Sequence, residues 1–391
     1  MNYILFDGSQ RENLLPLTFT RPVAEIRIGI TTIREKWETL LNETTSVLTE
    51  DYLSKKYPLK KGDENILINA AVLPDDNLIN DIKKLVSGES LTKDNILIAS
   101  RVDGNFDKNN LPEGKIKQYG SEIDILESSW DIFSKNEKYL NSDFKIITKG
   151  RKSSHISETN NIIGDSNLVF IEEGAKVEYA YLNTSTGPIY IDKDAEVMEG
   201  SKIRGPFALC EHSTLKMDAK VYGATTIGPH CKVGGELNNV VFFGYANKAH
   251  DGFLGNAVIG EWCNLGADTN NSNLKNTYEE VKMWSYPKGG FIKSGLQFCG
   301  LIMGDHSKSG INTMFNTGTV VGVSCNIYGS GFQRNFIPSF SWGSPVGMKP
   351  YNLNKAFQVA EAVFQRRSKS FHDVEKDIFR HINDLEMDQR R

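Results

Sequence analysis

Residues 191–233 read IDKDAEVMEGSKIRGPFALCEHSTLKMDAKVYGATTIGPHCKV. Counting by six from the first position lands on Ile191, Val197, Ile203, Leu209, Leu215, Val221, Ile227 and Val233, every one a branched aliphatic. Four places later in each hexad come Ala195, Ser201, Phe207, Ser213, Ala219, Thr225 and Cys231, nearly all small. Neither a helical period nor simple strand alternation produces this spacing. A solenoid of very short strands does. Each hexad supplies one strand with its aliphatic side chain inward, then a corner where a small residue avoids a clash. Three hexads make a triangular coil, and stacked coils bury a continuous aliphatic column.

The beat returns at Phe253, Ile259 and Leu265, and again at Met303, Ser309, Phe315, Val321 and Ile327. From Val233 to Phe253 is twenty residues, two more than three hexads, which predicts a small bulge or loop with His250 at its end. The spacing fails again after Leu265, so NNSNLKNTYEEVKMWSYPKGGFIKSG (270–295) is expected to leave the coil at least in part. Insertions at solenoid corners often build the binding surface. His212, His230 and His306 share one slot of ordinary hexads and are expected to face solvent. The stretch NFIPSFSWGSPVGMKPYNL (335–353) reads as a cap on the coil. Beyond it, Phe371, Val374, Ile378, Ile382 and Leu385 recur at helical spacing, which predicts an amphipathic helix for packing or oligomer assembly.

The remaining chain is ordinary in composition. Its 391 residues suffice for two or three domains. A net charge of -4 and a pI near 6.0 argue against a nucleic-acid partner. No apolar stretch approaches a membrane span, and MNYILFDGSQ lacks the basic start of a signal peptide, so no membrane partner is expected. Five cysteines, odd in number and without metal-type spacing, read as free thiols of a cytoplasmic protein.

Residues 1–110 alternate apolar runs (YILF, SVLT, NILINAAVL, NILIAS) with the amphipathic segments GITTIREKWETLL and NLINDIKKLV. That alternation predicts an α/β, Rossmann-like domain with a largely parallel sheet, its ligand beyond the carboxyl ends of the strands. FDGSQRENLLPLTFTRP follows the first strand, where a phosphate-binding loop belongs. Residues 111–155 read as a helical connector, 156–345 as the solenoid and 346–391 as a C-terminal helical segment.

The hexads resemble the hexapeptide-repeat proteins with a left-handed parallel β-helix, most of which are trimeric acyltransferases. Within them the chain is most similar to the bifunctional UDP-N-acetylglucosamine pyrophosphorylase/glucosamine-1-phosphate N-acetyltransferase family, in a variant bacterial branch with a compact first domain. The family marks its acetyl-transfer site by histidine, two residues, an aromatic, an aliphatic and glycine. Here these are His250, Asp251, Gly252, Phe253, Leu254 and Gly255. Family asparagines match Asn264 in CNLGADT and Asn273 in NSNLK, with Ala267 between them. The N-terminal signature, glycines and an arginine before PLT, matches Gly8, Ser9, Gln10 and Arg11 ahead of Leu15-Pro16-Leu17-Thr18.

The resemblance implies acetyl transfer from acetyl-CoA to glucosamine-1-phosphate, and uridylyl transfer from UTP to the acetylated sugar phosphate, in a homotrimer. His250 is then the base, a role that suits imidazole because it titrates near working pH. Phe253, Asn264, Asn273, Lys275 and Arg204 are the implied sugar-phosphate residues, and Ala267 and Asn273 the acetyl-CoA residues. Gly8, Ser9, Gln10, Arg11 and Arg21 are the implied nucleotide residues, with Mg²⁺ serving that half through ligands that stay unidentified. The chain departs from the family in several places. Phe253 replaces a tyrosine, Asn238 or Asn239 a phosphate-gripping lysine, Val23 a lysine, and Ala70 a metal-binding aspartate. The arginine after GPFA is missing, with Arg204 or Lys216 as substitutes, and Asp75 and Asp76 read more readily as a solvated turn. Two alternatives stay open: nucleotidyl transfer alone with the β-helix as an assembly element, or a non-catalytic trimeric scaffold or sugar-nucleotide sensor.

Overall fold

A computed structural model of the chain describes residues 1–104, 106–107 and 114–389. The expected boundary at 110/111 lies outside the described residues. Two compact units emerge. One comprises Met1–Leu14, Thr20–Ile26 and Thr31–Ser128, the other Leu15–Phe19, Arg27–Ile30 and Ser129–Arg391.

The first unit is built on β1 (Asn2–Phe6), β2 (Thr45–Leu48), β3 (Glu64–Asn69), β4 (Glu89–Lys93), β5 (Ile96–Asp103) and β6 (Lys115–Gln118), ordered β2-β1-β3-β5-β4-β6. Pairing is parallel in the β2-β1-β3 half, but β3 and β5 are antiparallel, as are β5 and β4. β4 and β6 are again parallel, so three of the five pairings are parallel, as expected, and β5 is the antiparallel exception in the sheet. The short link Asp94-Asn95, both left-handed, folds β4 back on β5 as a hairpin, which leaves no room for a crossover helix. Helix α1 (Ile33–Leu41) starts at a capping box in which Thr32 and Glu35 bond each other's backbone. Its Trp37 is fully buried and donates from Nε1 to the Val72 carbonyl at 3.0 Å. Helix α2 (Asp76–Lys83) is capped by the Asp75 carboxylate, which accepts from the Leu78 N–H at 2.9 Å.

The second unit opens with α3 (Asp131–Ser134) and α4 (Asn136–Thr148) and continues as a parallel β-solenoid, the architecture the hexads predict. All eight beat residues from Ile191 to Val233 lie in its buried core. The small slot also has its physical reason. Ser213 Oγ donates to the Gly228 carbonyl at 2.7 Å and accepts from the Cys231 N–H at 3.0 Å, so a small hydroxyl ties one rung to the next. Ser307 repeats this with Gly322 and Cys325. All five cysteines are buried thiols outside any disulfide.

Two corrections concern the region around His250. No loop is inserted there. Instead β7 (Glu236–Phe242) and β8 (Phe253–Ile259) run on where other rungs are interrupted, each turning through one left-handed asparagine, Asn239 (φ 57°) and Asn256 (φ 46°). This shortens the coil and slips the beat by one residue. In register, Val221 pairs with Leu237 and Leu237 with Leu254, so Leu254 points inward and Phe253 stands outward, half-buried. The run after residue 272 leaves the coil as an antiparallel hairpin of Lys282–Ser285 with Gly290–Lys293.

The shared histidine slot is a corner with left-handed backbone, at φ 55° for His212, 58° for His230 and 62° for His306. His212, His230, Tyr245 and Trp262 stack face to face, with adjacent centroids 4.1–5.0 Å apart. His306 is buried, contrary to expectation. Two C-terminal helices, α5 (Leu353–Gln365) and α6 (Asp373–Gln389), cover it with Phe364 and Phe379. The chain beyond 371 is helical as expected, and Phe371, Ile378 and Ile382 are buried.

Candidate active site at a solenoid corner

His250 sits exposed on the corner between Asn247–Lys248 and β8. The Asp268 N–H donates to the Asp251 carbonyl at 3.0 Å, which stacks this corner directly on the one carrying Ala267. His250 and Ala267 thus lie one rung apart, roughly 4.8 Å along the stack.

On one side of the corner lies the face of β8, where backbone and asparagine amides are locked together. Asn271, nearly fully buried, accepts from the Gly255 N–H at 2.8 Å and donates to the Gly255 carbonyl at 2.9 Å. Asn270 accepts from the Phe253 N–H at 2.7 Å, and Asn273 Nδ2 donates to Asn256 Oδ1 at 2.8 Å. Gly255 makes this packing feasible. A Cβ there would lie 2.5 Å from Phe253 Cζ and 2.8 Å from Asn273 Nδ2. Phe253 and Asn273 therefore meet over Gly255. Lys275 is turned toward the excursion, where its Nζ donates to the Glu280 carbonyl at 2.9 Å.

On the other side lies a cavity of about 440 Å³. Lys232, Lys308, Arg366 and Arg367 line it together with Tyr245 and Trp262, and among the described residues no carboxylate does. Asn264 and Ala249 complete the wall nearest the corner. Arg367 is held in place by its hydrogen bond to the His230 carbonyl at 3.0 Å. Burial pushes the Lys308 ammonium down to about 8. Asn264 thus belongs to this cationic pocket, on the opposite side of the corner from Phe253 and Asn273.

Arg204 is not brought to either side. It is exposed and shares a surface cleft with Lys202 and Lys220, three rungs from Phe253 by strand register, roughly 14 Å away. Lys216 is half-buried, and Asn238 lies in register between Tyr222 and Gly255. Sequence reasoning missed Asn270, Asn271, Arg366 and Arg367. The first two sit in the asparagine cluster already noticed, whereas nothing in the hexad pattern announces that the turn closing α5 supplies two guanidiniums.

In the first unit, Gly8-Ser9-Gln10-Arg11 enters a 3₁₀ turn, Ser9–Leu14. Ser9 is exposed, while Gln10, Arg11 and Arg21 are buried. Gln10 closes the turn by accepting from Asn69 Nδ2 at 3.3 Å, against Gly8, where a Cβ would lie 2.7 Å from Gln10 Oε1. Arg11 pairs through Nε with Asp7 at 3.2 Å and donates to the Tyr52 hydroxyl at 2.8 Å. Asp7 also accepts from the Val23 N–H at 2.8 Å and from Thr49 Oγ1 at 2.5 Å, yet burial outweighs these contacts and lifts its pKa to about 6. Asp7 is a further residue that the motif reading passed over. At the positions read for Mg²⁺, Ala70 offers only a methyl and Asp75 caps α2, and no cluster of three metal-type side chains occurs among the described residues.

Among known families, the model for sugar nucleotidyl transferases matches residues 3–152. The bifunctional sugar-1-phosphate nucleotidylyltransferase/acetyltransferase of Sulfurisphaera tokodaii is 27% identical over 43% of this chain and 40% of its own length. The bifunctional protein GlmU of Methanocaldococcus jannaschii is 31% identical over 50% of this chain and 41% of its own. The chain thus spans less than half the length of these two relatives. A solved UDP-N-acetylglucosamine acyltransferase from Campylobacter jejuni aligns with 57% of this chain and 94% of its own at 14% identity, with a TM-score of 0.21. With residues 3–152 matching the model for sugar nucleotidyl transferases and a parallel β-solenoid following them, the chain is similar in both parts to the bifunctional sugar-1-phosphate nucleotidylyltransferase/acetyltransferases.

Proposed function

We propose that the solenoid transfers acetyl from acetyl-CoA to the amino group of glucosamine-1-phosphate, and that the first unit transfers uridylyl from UTP to the product. One observation carries the acetyl-transfer reading. An exposed imidazole stands on a corner with an amide-lined aromatic face on one side and a pocket lined by four cations on the other. The sugar amine attacks the thioester carbonyl while His250 accepts its proton. Collapse of the adduct breaks the C–S bond and releases coenzyme A as thiolate, so no covalent enzyme intermediate is needed. Phe253, Asn273 and the Asn270–Asn271 frame shape the sugar side, with Phe253 offering ring contact where the family's tyrosine offers a hydroxyl.

The pocket suits the acyl donor. Four cations complement its phosphates, and Tyr245 and Trp262 offer ring surface to a base. Ala267, one rung from His250, lies where a pantetheine arm reaches the corner. Arg204 and Lys275 join the sugar-phosphate site only if a neighbouring subunit or a moved excursion brings them there. A cytoplasmic homotrimer is part of the reading, and a fully active monomer on gel filtration would refute that part. For uridylyl transfer, Gly8, Ser9 and Gln10 form the loop, and Arg11 and Arg21 are the charges available to a triphosphate. No step is assigned to a metal.

The test incubates the protein with glucosamine-1-phosphate, acetyl-CoA and UTP and compares wild type with His250→Ala. Free-thiol release should fall on the order of 10²–10⁴-fold, and pyrophosphate release should persist. Unchanged thiol release would remove His250 from the chemistry.

A further inference from the structure

The inner column beneath the corner contains a residue that should not be there. Successive rungs place Leu215, Val233, Lys248 and Leu265 in register, so a lysine fills an aliphatic slot. Lys248 is fully buried. Its Nζ donates to the His250 carbonyl at 2.8 Å and to the Gly234 carbonyl at 3.4 Å. No carboxylate lies within 4 Å of it among the described residues. A buried ammonium served only by carbonyls is costly, and an aliphatic residue would fill the slot without that cost.

The surroundings are shaped for it. Gly235 is left-handed (φ 78°), and a Cβ there would come within 2.9 Å of Nζ. Beyond Leu265 the same column turns polar again at Ser309, whose hydroxyl lies 2.9 Å from that of buried Thr269. The exposed carboxylates Asp251 and Asp268 attract the ammonium from the corner, but burial prevails and brings its pKa down to about 8.

We propose that Lys248 is a positioning residue for the transfer reaction. Its side chain clamps the carbonyls of Gly234 and His250 from inside the solenoid and so fixes the corner that presents the imidazole. This rests on His250 being the base. A residue that holds a catalytic corner from below acts through orientation, so its removal should lower turnover with little change in substrate affinity.

The experiment compares wild type, Lys248→Met and Lys248→Gln, with His250→Ala as the reference. Lys248→Met should melt at or above the wild-type temperature, because an apolar chain of similar length replaces a buried charge. Its kcat for thiol release should fall about 10–100-fold, with KM for both substrates within about twofold. Amide exchange over residues 249–252 should accelerate while the rest of the solenoid keeps its protection. Lys248→Gln retains one donor and should recover part of the lost kcat. If Lys248→Met fails to fold, Lys248→Gln carries the test through the same two readouts. Wild-type kcat together with unchanged exchange at the corner would overturn the proposal. Should His250→Ala keep its thiol release, the base assignment fails. The positioning role would fall with it, and faster exchange over residues 249–252 in Lys248→Met would then show a clamp that serves only the fold of the corner.

Discussion

Asp7 carries a prediction whose sign runs against the usual behaviour of a carboxylate beside an arginine. Its side chain is 5% exposed, and desolvation raises its pKa from 3.8 to about 6 despite bonds from Thr49, Val23 and Arg11. The native state therefore binds a proton more tightly than the unfolded chain does. Stability from this group is fully present below the unfolded value and is lost as pH rises through about 6. At pH 4.5 the linkage relation with those two values gives roughly 2 kcal/mol, and at pH 7.5 almost nothing. Asp7→Asn removes the titration while keeping the shape. Amide exchange in β1 and β3 reports the opening of this unit, and comparing the two proteins at each pH cancels the intrinsic pH dependence of exchange. The wild type should lose roughly 2 kcal/mol relative to Asp7→Asn between pH 4.5 and 7.5. A flat difference would show that Arg11 keeps Asp7 near its ordinary value. A wild type that gains on rising pH would show that the ion pair dominates burial, and either result refutes the reasoning.

Two further perturbations probe the corner. Arg366→Gln with Arg367→Gln should raise KM for acetyl-CoA roughly tenfold or more and weaken its salt dependence, leaving kcat within about twofold in steady-state assays. Gly255→Ala puts a methyl against the Phe253 ring and Asn273, so thiol release should fall sharply with a higher KM for the sugar phosphate. Its thermal melt should show a loss of only about 1–3 kcal/mol, since the ring can swing outward.

The solenoid was legible because its signal is periodic and redundant: eight successive aliphatics each report the same inward direction. The corner was legible in outline for a different reason, since HDGFLG is a local string whose residues stay together in space. What escaped was register. A coil shortened by left-handed turns at Asn239 and Asn256 shifts the inward position from Phe253 to Leu254, and only the pairing of Leu237 with Leu254 reveals it. That one-residue slip turns an apparent core aromatic into a ring standing beside Asn273. The same slip hid Lys248, because stepping back by six from Phe253 lands on Asn247 and the lysine never falls on the count. Arg204 stands apart for the opposite reason. It was chosen for its charge and its nearness in sequence to GPFA, whereas distance along a solenoid is set by the number of rungs.

The first unit teaches a complementary point about charge. Arg11 and Arg21 were read as phosphate neutralisers because they follow a strand and flank PLT, and both prove buried, with Arg11 joined to Asp7 and Tyr52. A guanidinium in that state has already been neutralised, so a triphosphate gains its attraction only by competing with Asp7. Asp7 is the residue whose burial makes that competition favourable to the ligand, because its charge is the poorly solvated member of the pair. On this account Asp7→Asn should tighten UTP binding at neutral pH, where wild-type Asp7 is ionised, and leave it unchanged near pH 5, where Asp7 is mostly protonated. Titration calorimetry with UTP at the two pH values checks it. Equal affinities for both proteins at neutral pH would mean that Arg11 never reaches the phosphates.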